Sequence, residues 1–194
     1  KKVNIDKEIA IIVAANGNDI AVYPPIEMIF HPALNLLDYQ LSPADLPQNI
    51  LAQMEAIAIK VVTKLNSPGI FAVEMFVDKE NNIYVNETAP RVHNSGHHTI
   101  EANYSSQFDM LWRIMHGYPI GNTKHILPAA FVTIFGEENY SVPAIYPDLD
   151  PVLQMENVFV HICGKTKTKP VRKMAQVTIL GKAQPQIINT AQKK

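Results

Sequence analysis

Residues 74–97, EMFVDKENNIYVNETAPRVHNSGH, constrain the fold more than any other stretch, because they combine a strand–turn–strand pattern with a polar loop. Apolar and β-branched residues fill 71–77 and 83–88, and the turn-forming run DKENN separates them, which predicts an antiparallel hairpin. If Val77 pairs with Tyr84 across the turn, Glu74 lies opposite Glu87. Opposite residues share one face of a sheet, with Cβ atoms about 5 Å apart. We therefore expect two carboxylates side by side on this hairpin.

Two carboxylates among apolar neighbours require a compensating group. Phe76, Ile83 and Val85 are the neighbours expected on the same face, so the carboxylates repel each other and resist desolvation. A shared proton, an arginine or a hard cation would each compensate, and Mg2+ is often held by one or two carboxylates plus substrate phosphates. Asn86 could supply an amide group beside Glu87. Two surface glutamates on a solvated strand are the alternative.

The polar loop after the hairpin, PRVHNSGHH at 90–98, carries groups suited to an anion and to proton transfer. Arginine offers a planar fork, histidine can relay protons, and glycine allows the backbone to approach a ligand. The candidate residues are Arg91, His93, Asn94, Ser95, Gly96 and His97. Two alternatives remain open: a surface loop with satisfied histidines, and a zinc site of His93, His97 and Glu101, although no motif with the usual zinc spacing is complete.

The chain upstream of the hairpin predicts strands and one long helix. Residues 8–15 predict a buried strand, and residues 20–29 predict a partner strand that Pro24 and Pro25 end early or confine to an edge. Residues 31–49 are interpreted as a connecting stretch, and residues 47–65 predict an amphipathic helix. Its apolar stripe consists of Ile50, Met54, Ile57, Ala58, Val61, Val62 and Leu65.

The chain downstream of the loop predicts a second helix and then short strands. Ser105 or Ser106 is expected to cap the helix. Its apolar face is expected to consist of Phe108, Leu111, Trp112 and Met115. Beyond residue 122, strands are predicted at 129–135, 142–146, 157–163 and 174–180. The sequence thus indicates an α+β fold in two domains, residues 1–122 and a small β-rich domain over residues 123–194.

The composition excludes several classes of function. A net charge of -1 provides no basic field for nucleic acid, and no apolar run reaches the length of about 18 residues that a membrane span needs. The single cysteine, Cys163, excludes an internal disulfide and fits a reducing compartment such as the cytoplasm. The sequence enters its first strand abruptly, which suggests that the chain starts within a larger fold.

The loop and the segment after it resemble the signature of the N5-carboxyaminoimidazole ribonucleotide synthetase family, in the ATP-grasp superfamily. The family pattern, NE-x-APR-x-HNSGH-x-T-x-E-A followed by SQF, is matched here from Asn86 to Ala102 and at 106–108. KEIAIIV at 7–13, the stretch at 24–31 and the basic segment at 164–174 are similar to further family segments. The resemblance implies the C-terminal half of an ATP-grasp domain, an antiparallel sheet with packed helices, followed by a small β-rich domain.

Members of this family, also called the ATPase subunit of phosphoribosylaminoimidazole carboxylase, are ligases of de novo purine biosynthesis. They use ATP and Mg2+ to carboxylate 5-aminoimidazole ribonucleotide with bicarbonate, through carboxyphosphate, and release ADP and phosphate. By this resemblance, Glu74 and Glu87 hold Mg2+ on the ATP phosphates, and Asn86 assists them. The residues expected at bicarbonate and in catalysis are Arg91, His93 and Asn94.

The resemblance also implies a ribonucleotide site. Ser95 and Gly96 are expected to shape its pocket, and Lys165 and Arg172 to bind the 5′-phosphate. The chain departs from the family pattern at several positions, and these departures could alter the geometry of the phosphate loop. The departures are Ala15, Met28, Val171, Ala175 and Gln176.

The family assignment implies a cytoplasmic homodimer whose product passes to the N5-carboxyaminoimidazole ribonucleotide mutase. The family's N-terminal domain and the lysines that hold the ATP phosphates have no counterpart in the 194 residues, so we expect no ATP turnover from this chain alone. Two alternatives are a non-catalytic binding or assembly fragment and a different ATP-grasp carboxylase or ligase. The HNSGH motif argues against the latter.

Overall fold

A computed structural model of the protein describes residues 3–30, 37–136, 142–146 and 149–182. The strands of the described residues are β1 Ile5–Ala15, β2 Ile20–Val22, β3 Ile26–Phe30, β4 Leu37–Ser42, β5 Gly69–Asp78, β6 Ile83–Ala89, β7 Ala129–Phe135, β8 Val158–Ile162 and β9 Lys173–Leu180. They form one sheet in the order β6-β5-β1-β3-β4-β7-β9-β8, with β2 pairing to β1, and every pairing is antiparallel. This confirms the predicted α+β class with an antiparallel sheet.

The helices of the described residues are α1 Gln48–Leu65, α2 Thr99–Ala102, α3 Gln107–Met115 and α4 Leu149–Leu153, and a 3-10 turn covers Asn94–Gly96. Helix α1 covers one face of the sheet, and α3 covers the opposite face of β1, β3 and β5. A third apolar cluster lies between β4, β7 and β9. The two short helices α2 and α4 were not predicted, because neither is long enough to show an apolar stripe.

The stretch interpreted as a connection contains a central strand, so that interpretation is wrong. Strand β4 lies between β3 and β7, where Gln40 pairs with Met28 on one side and with Phe131 on the other. Its six residues, LDYQLS, mix polar and apolar side chains, and tertiary pairing overrides this weak local signal. The predicted break at Pro24 and Pro25 is confirmed, and β2 and β3 both pair with β1 on either side of it.

Three of the four strands predicted beyond residue 122 are confirmed. Strands β7, β8 and β9 match three predictions within two residues. Residues 142–146 do not form a strand and contribute only an isolated bridge between Pro143 and Lys167. The predicted boundary at 122/123 stays a prediction; the sheet crosses it through the pairing of β4 with β7.

The two long helices differ in how well their apolar faces were predicted. In α1, Ile50, Met54, Ala58 and Val62 are buried as predicted, whereas Leu65 in the last turn is 50% exposed. In α3 half of the predicted face is wrong, because Trp112 and Met115 are 63% and 70% exposed, whereas Leu111 packs against the core and Phe108 against the His97 ring.

Helix α3 buries Gln107 and Met110 instead, so a polar side chain occupies an inward position. Ser106 is the N-cap, and its hydroxyl accepts a hydrogen bond from the Asp109 amide at 3.1 Å. Among the described helices, none combines the length and the apolar composition needed to cross a membrane.

Candidate active site

The hairpin places its two carboxylates opposite each other through a β-bulge. Near the turn Val77 pairs with Ile83, not with Tyr84, so the assumed register is wrong by one residue. The register shifts between Glu74 and Met75, and after the shift Glu74 pairs with Glu87. Asn86 is the extra residue of β6. The carboxylate pair is therefore present as predicted, but it results from a bulge that the sequence did not reveal.

The environment of Glu74 disfavours the charged form of its carboxyl group. Burial raises the pKa of the Glu74 carboxyl, and the charges of Glu87 and Glu8 raise it further. A hydrogen bond from Asn86 and the charge of Arg91 act in the opposite direction. Negative charge therefore dominates around this carboxylate, as expected of a site that takes up a cation.

The carboxylate pair fits a magnesium site with few protein ligands better than a metal site in which protein side chains supply every ligand. Among the described residues, no three histidine, cysteine, aspartate or glutamate side chains gather as a metal-binding group. The zinc alternative does not assemble, since His97 Nδ1 lies 2.9 Å from the His93 carbonyl and Glu101 pairs with His161. Two opposed carboxylates, Glu74 and Glu87, match the few protein ligands that Mg2+ uses beside substrate phosphates.

The polar loop is held against the sheet by Gln107 of α3. The His93 amide donates to Gln107 Oε1 at 2.9 Å, and Gln107 Nε2 donates to the His93 carbonyl at 2.8 Å. A Cβ added to Gly96 would lie 2.6 Å from Gln107 Oε1, so glycine allows this close approach. Sequence reasoning missed Gln107, because a polar residue in a helix is normally placed on the solvent side.

His93 is a neutral imidazole that faces Glu74. Burial and the charge of Arg91 lower its pKa, so the ring is uncharged at neutral pH. The Ser95 amide donates to His93 Nδ1 at 3.4 Å, and the Ser95 hydroxyl lies 2.9 Å from the same atom. Because Nδ1 accepts, the proton resides on Nε2, which lies 3.5 Å from Glu74 Oε1. His93 therefore lies beside Glu74 of the carboxylate pair, and its predicted role at bicarbonate stays a prediction.

The remaining loop residues divide into exposed and buried groups. Arg91 and Asn94 are exposed, and one Arg91 guanidinium nitrogen donates to the Val92 carbonyl at 3.0 Å. Ser95 and Gly96 are buried in the 3-10 turn. The His97 ring packs edge-on against Phe108 and Phe131, which anchors the end of the loop over strand β7.

Lys173, the first residue of β9, contacts the polar loop at Asn94. The sequence analysis did not select it as a site residue. Its Nζ lies 3.4 Å from Asn94 Oδ1, and its charge contributes to lowering the pKa values of His93 and His97. Burial lowers the pKa of Lys173 itself. The signal was present in the motif at 164–174, but the sequence could not tell which basic side chain of that motif turns toward the loop.

The two basic residues predicted for a phosphate lie in the connection between β8 and β9. Lys165 is exposed, and Arg172 Nη1 donates to the Lys167 carbonyl at 3.2 Å. Val171 between them has a φ of 61°, a left-handed conformation that is unfavourable for a β-branched residue. Their role in binding a phosphate stays a prediction.

Two family models match the chain. The model of the ATP-grasp domain matches residues 1–108. The model of the phosphoribosylaminoimidazole carboxylase C-terminal domain matches residues 129–190.

The curated relatives carry corresponding names. N5-carboxyaminoimidazole ribonucleotide synthase of Bacillus subtilis (strain 168) is 34% identical over 179 residues, covering 92% of this chain and 45% of that protein. The chloroplastic phosphoribosylaminoimidazole carboxylase of Vigna aconitifolia is 35% identical over 179 residues, covering 90% of this chain and 32% of that protein. The chain therefore spans between a third and a half of the length of these relatives.

Solved structures resemble the whole chain. N5-carboxyaminoimidazole ribonucleotide synthetase from Thermotoga maritima matches with a TM-score of 0.89 and 37% identity, covering 100% of this chain and 52% of that one. The enzyme from Aspergillus clavatus, solved with ADP and 5-aminoimidazole ribonucleotide, matches with a TM-score of 0.87 and 26% identity, covering 100% of this chain and 53% of that one.

Proposed function

The chain belongs to the N5-carboxyaminoimidazole ribonucleotide synthase family of ATP-grasp ligases, and we propose that it forms the C-terminal part of an enzyme that carboxylates 5-aminoimidazole ribonucleotide with bicarbonate and ATP. The observation that carries this proposal is the placement of the polar loop between a carboxylate pair and a lysine. His93 Nε2 lies 3.5 Å from Glu74, and Asn94 Oδ1 lies 3.4 Å from Lys173. A cation site and an anion site thus meet along one loop.

The carboxylate pair forms the cation side of the proposed site. Glu74 and Glu87 would hold Mg2+, and the Asn86 amide, which hydrogen-bonds to Glu74, would orient that carboxylate. The metal ion, when bound, offsets the negative charge that develops during phosphoryl transfer. The raised pKa of Glu74 expresses the same imbalance of charge that the ion relieves.

The loop and Lys173 form the anion side. Arg91 and Lys173 supply positive charge to bicarbonate and its phosphorylated form, and Asn94 lies beside the Lys173 ammonium. His93 presents a proton on Nε2 and takes part in proton transfer when the ribonucleotide amine attacks the carboxyl carbon. In that step the C–N bond forms as the C–O bond to the leaving phosphate breaks, and the proton that the amine loses passes to a phosphate oxygen.

The ribonucleotide is proposed to lie over the same loop. Ser95 and Gly96 shape its pocket, and Lys165 and Arg172 bind its 5′-phosphate from the β8–β9 connection. The homodimer, the cytoplasmic location and transfer of the product to a mutase are further parts of the proposal. They rest on family membership, and the chain alone is proposed to be inactive because it spans only part of its relatives.

The proposal is tested by measuring phosphate release from the full-length protein that carries this chain. ATP, Mg2+ and bicarbonate are supplied, and 5-aminoimidazole ribonucleotide is expected to stimulate release. Glu87→Gln is expected to lower that release at least about 100-fold, since it removes one of two metal-binding carboxylates. The 194-residue chain assayed alone is expected to release none.

Two results would contradict the proposal. Stimulated release from the 194-residue chain alone would defeat its inactivity as a fragment. Full-length protein without stimulated release, with Glu87→Gln no different from wild type, would defeat the assignment as a ligase. Glu80→Gln serves as a matched control, since Glu80 is an exposed residue of the same hairpin turn and should leave turnover unchanged.

A further inference from the structure

A short side-chain hydrogen bond connects helix α2 to the edge strand β8. Glu101 Oε1 lies 2.6 Å from His161 Nε2, although 60 residues separate the two in the chain. The Glu101 side chain is only 10% exposed, and its second oxygen, Oε2, is buried without a hydrogen-bond partner among the described residues. The proposed chemistry uses neither residue.

On one side, this pair is coupled to the polar loop. Helix α2 follows the 3-10 turn directly, and the Glu101 and Ala102 amides donate to the His98 carbonyl. The Thr99 hydroxyl donates to the Gly96 carbonyl and accepts from the Gln107 amide. A shift of Glu101 therefore moves the backbone that carries Asn94 and His93.

On the other side, the pair is coupled to the strand that carries Lys173. His161 pairs with Gln176 of β9, three residues after Lys173, and the following residue, Ile162, pairs with Ala175. Helix α2 also packs beside β9. The contact between Glu101 and His161 therefore joins the same two segments, the loop and the beginning of β9, that Asn94 and Lys173 join at 3.4 Å.

We propose that Glu101 and His161 are positioning residues, which hold the loop and the β8–β9 segment together as the two halves of the anion and ribonucleotide site. This inference rests on the proposed function for its kinetic consequences but not for its structural ones. The metal-binding carboxylates lie on β5 and β6 at the other end of the sheet, and the loop approaches them through His93, so the pair should affect the ribonucleotide more than ATP.

The test uses three variants of the full-length protein: Glu101→Gln, which keeps the shape of the side chain, His161→Phe, which keeps a ring, and the double variant. At a temperature where all remain folded, kcat/KM for 5-aminoimidazole ribonucleotide should fall at least about tenfold, because small misplacements of substrate-binding groups are costly. The KM for ATP should change by a smaller factor. The double variant should lose no more than the worse single variant, since both remove one interaction.

A second measurement does not depend on activity. The amides of Gly96 and His97 donate to loop carbonyls, and hydrogen exchange there should be at least about tenfold faster in Glu101→Gln than in wild type. Asp109→Asn is the control, because Asp109 makes an ion pair of 2.8 Å with Arg113 within α3 and joins no other element through it. Its exchange and kinetics should match wild type.

Unchanged exchange in the loop would overturn the proposal, whatever the turnover. An equal loss of kcat/KM for ATP and for the ribonucleotide would also overturn the proposal. So would a lower melting temperature with both KM values unchanged, and either result would show that the pair has a purely structural role. If wild-type protein shows no turnover, the proposed function fails, and the exchange measurement alone decides the role of Glu101 and His161.

Discussion

Glu74 lies directly opposite Glu87 only because Asn86 is an extra residue in β6. Without this bulge, the register set by Val77 and Ile83 would place Asn86 opposite Glu74 and turn Glu87 to the other face of the hairpin. The bulge therefore creates the carboxylate pair, and it also brings the Asn86 amide within hydrogen-bonding distance of Glu74.

Removing one carboxylate should stabilise the protein in the absence of Mg2+. Glu74→Gln is expected to raise the free energy of unfolding at pH 7 by up to about 1 kcal/mol, because like charges opposite each other are destabilising. The pKa of Glu74 is raised in the folded state, so the contribution of this group to wild-type stability is greatest at low pH and decreases as pH rises through that pKa. Urea denaturation at several pH values measures both effects. A variant less stable than wild type at every pH would contradict the prediction.

Removing the Gln107 amide should release the loop. In Gln107→Ala the partly buried amide and carbonyl of His93 lose their partners, and we expect a loss of about 1–3 kcal/mol in the free energy of unfolding. Gln53→Ala is the matched control, since Gln53 is exposed on α1 and donates to the Asn49 carbonyl at 3.2 Å. Equal losses for both variants, measured by urea denaturation, would argue against the role of Gln107.

Replacing Val171 should relieve backbone strain in the β8–β9 connection. Its φ of 61° costs a residue with a Cβ roughly 1–2 kcal/mol, and glycine avoids that cost while adding about 0.4–1 kcal/mol of chain entropy to the unfolded state. We expect Val171→Gly to be more stable than wild type by about 0.5–1 kcal/mol in thermal or urea unfolding. Val171→Ala keeps a Cβ and should gain less. Equal gains for the two variants would show that φ is not the cause.

Acid should destabilise the protein through a buried histidine next to the loop. Burial lowers the pKa of His98 to about 3, so the ring stays neutral while the unfolded chain takes up a proton near pH 6.5. Stability from this group is present above pH 6.5 and is lost as pH falls toward 3, by up to about 1.4 kcal/mol per pH unit. In His98→Gln, unfolding measured between pH 7 and 5 should depend less steeply on pH. An unchanged slope would exclude His98 as a source of the acid sensitivity.

The hairpin shows what the sequence could and could not specify. The apolar and β-branched residues of 71–77 and 83–88, separated by a turn-forming run, were sufficient to predict the strands, but the bulge at Asn86 depends on pairing energy and could not be seen locally. Gln107 was missed for a similar reason, since its inward position is stabilised by the backbone of a loop that folds over it. The family motif predicted the loop itself, because that motif is local in sequence.

Long-range pairing explains the remaining differences. Strand β4 has a weak local pattern and is stabilised by neighbours on both sides, Met28 and Phe131 at Gln40. Lys173 and Arg172 are adjacent in sequence, and only the twist and register of β9 determine that Lys173 approaches Asn94. The pairing of β4 and the orientation of Lys173 both depend on contacts between segments far apart in the chain.

The pairing of β4 with β7 has a consequence for any attempt to produce the two family-matched segments separately. The segments at 1–108 and 129–190 meet along this ladder, from Tyr39 opposite Val132 to Ser42 opposite Ala129. After cleavage of the intervening peptide, the hydrogen bonds between β4 and β7 would hold the two pieces together without a covalent link. Separation of the pieces would leave β4 of one piece and β7 of the other without this partner strand. Both would then tend to aggregate through these open edges, and mixing them before they do so should reconstitute the sheet.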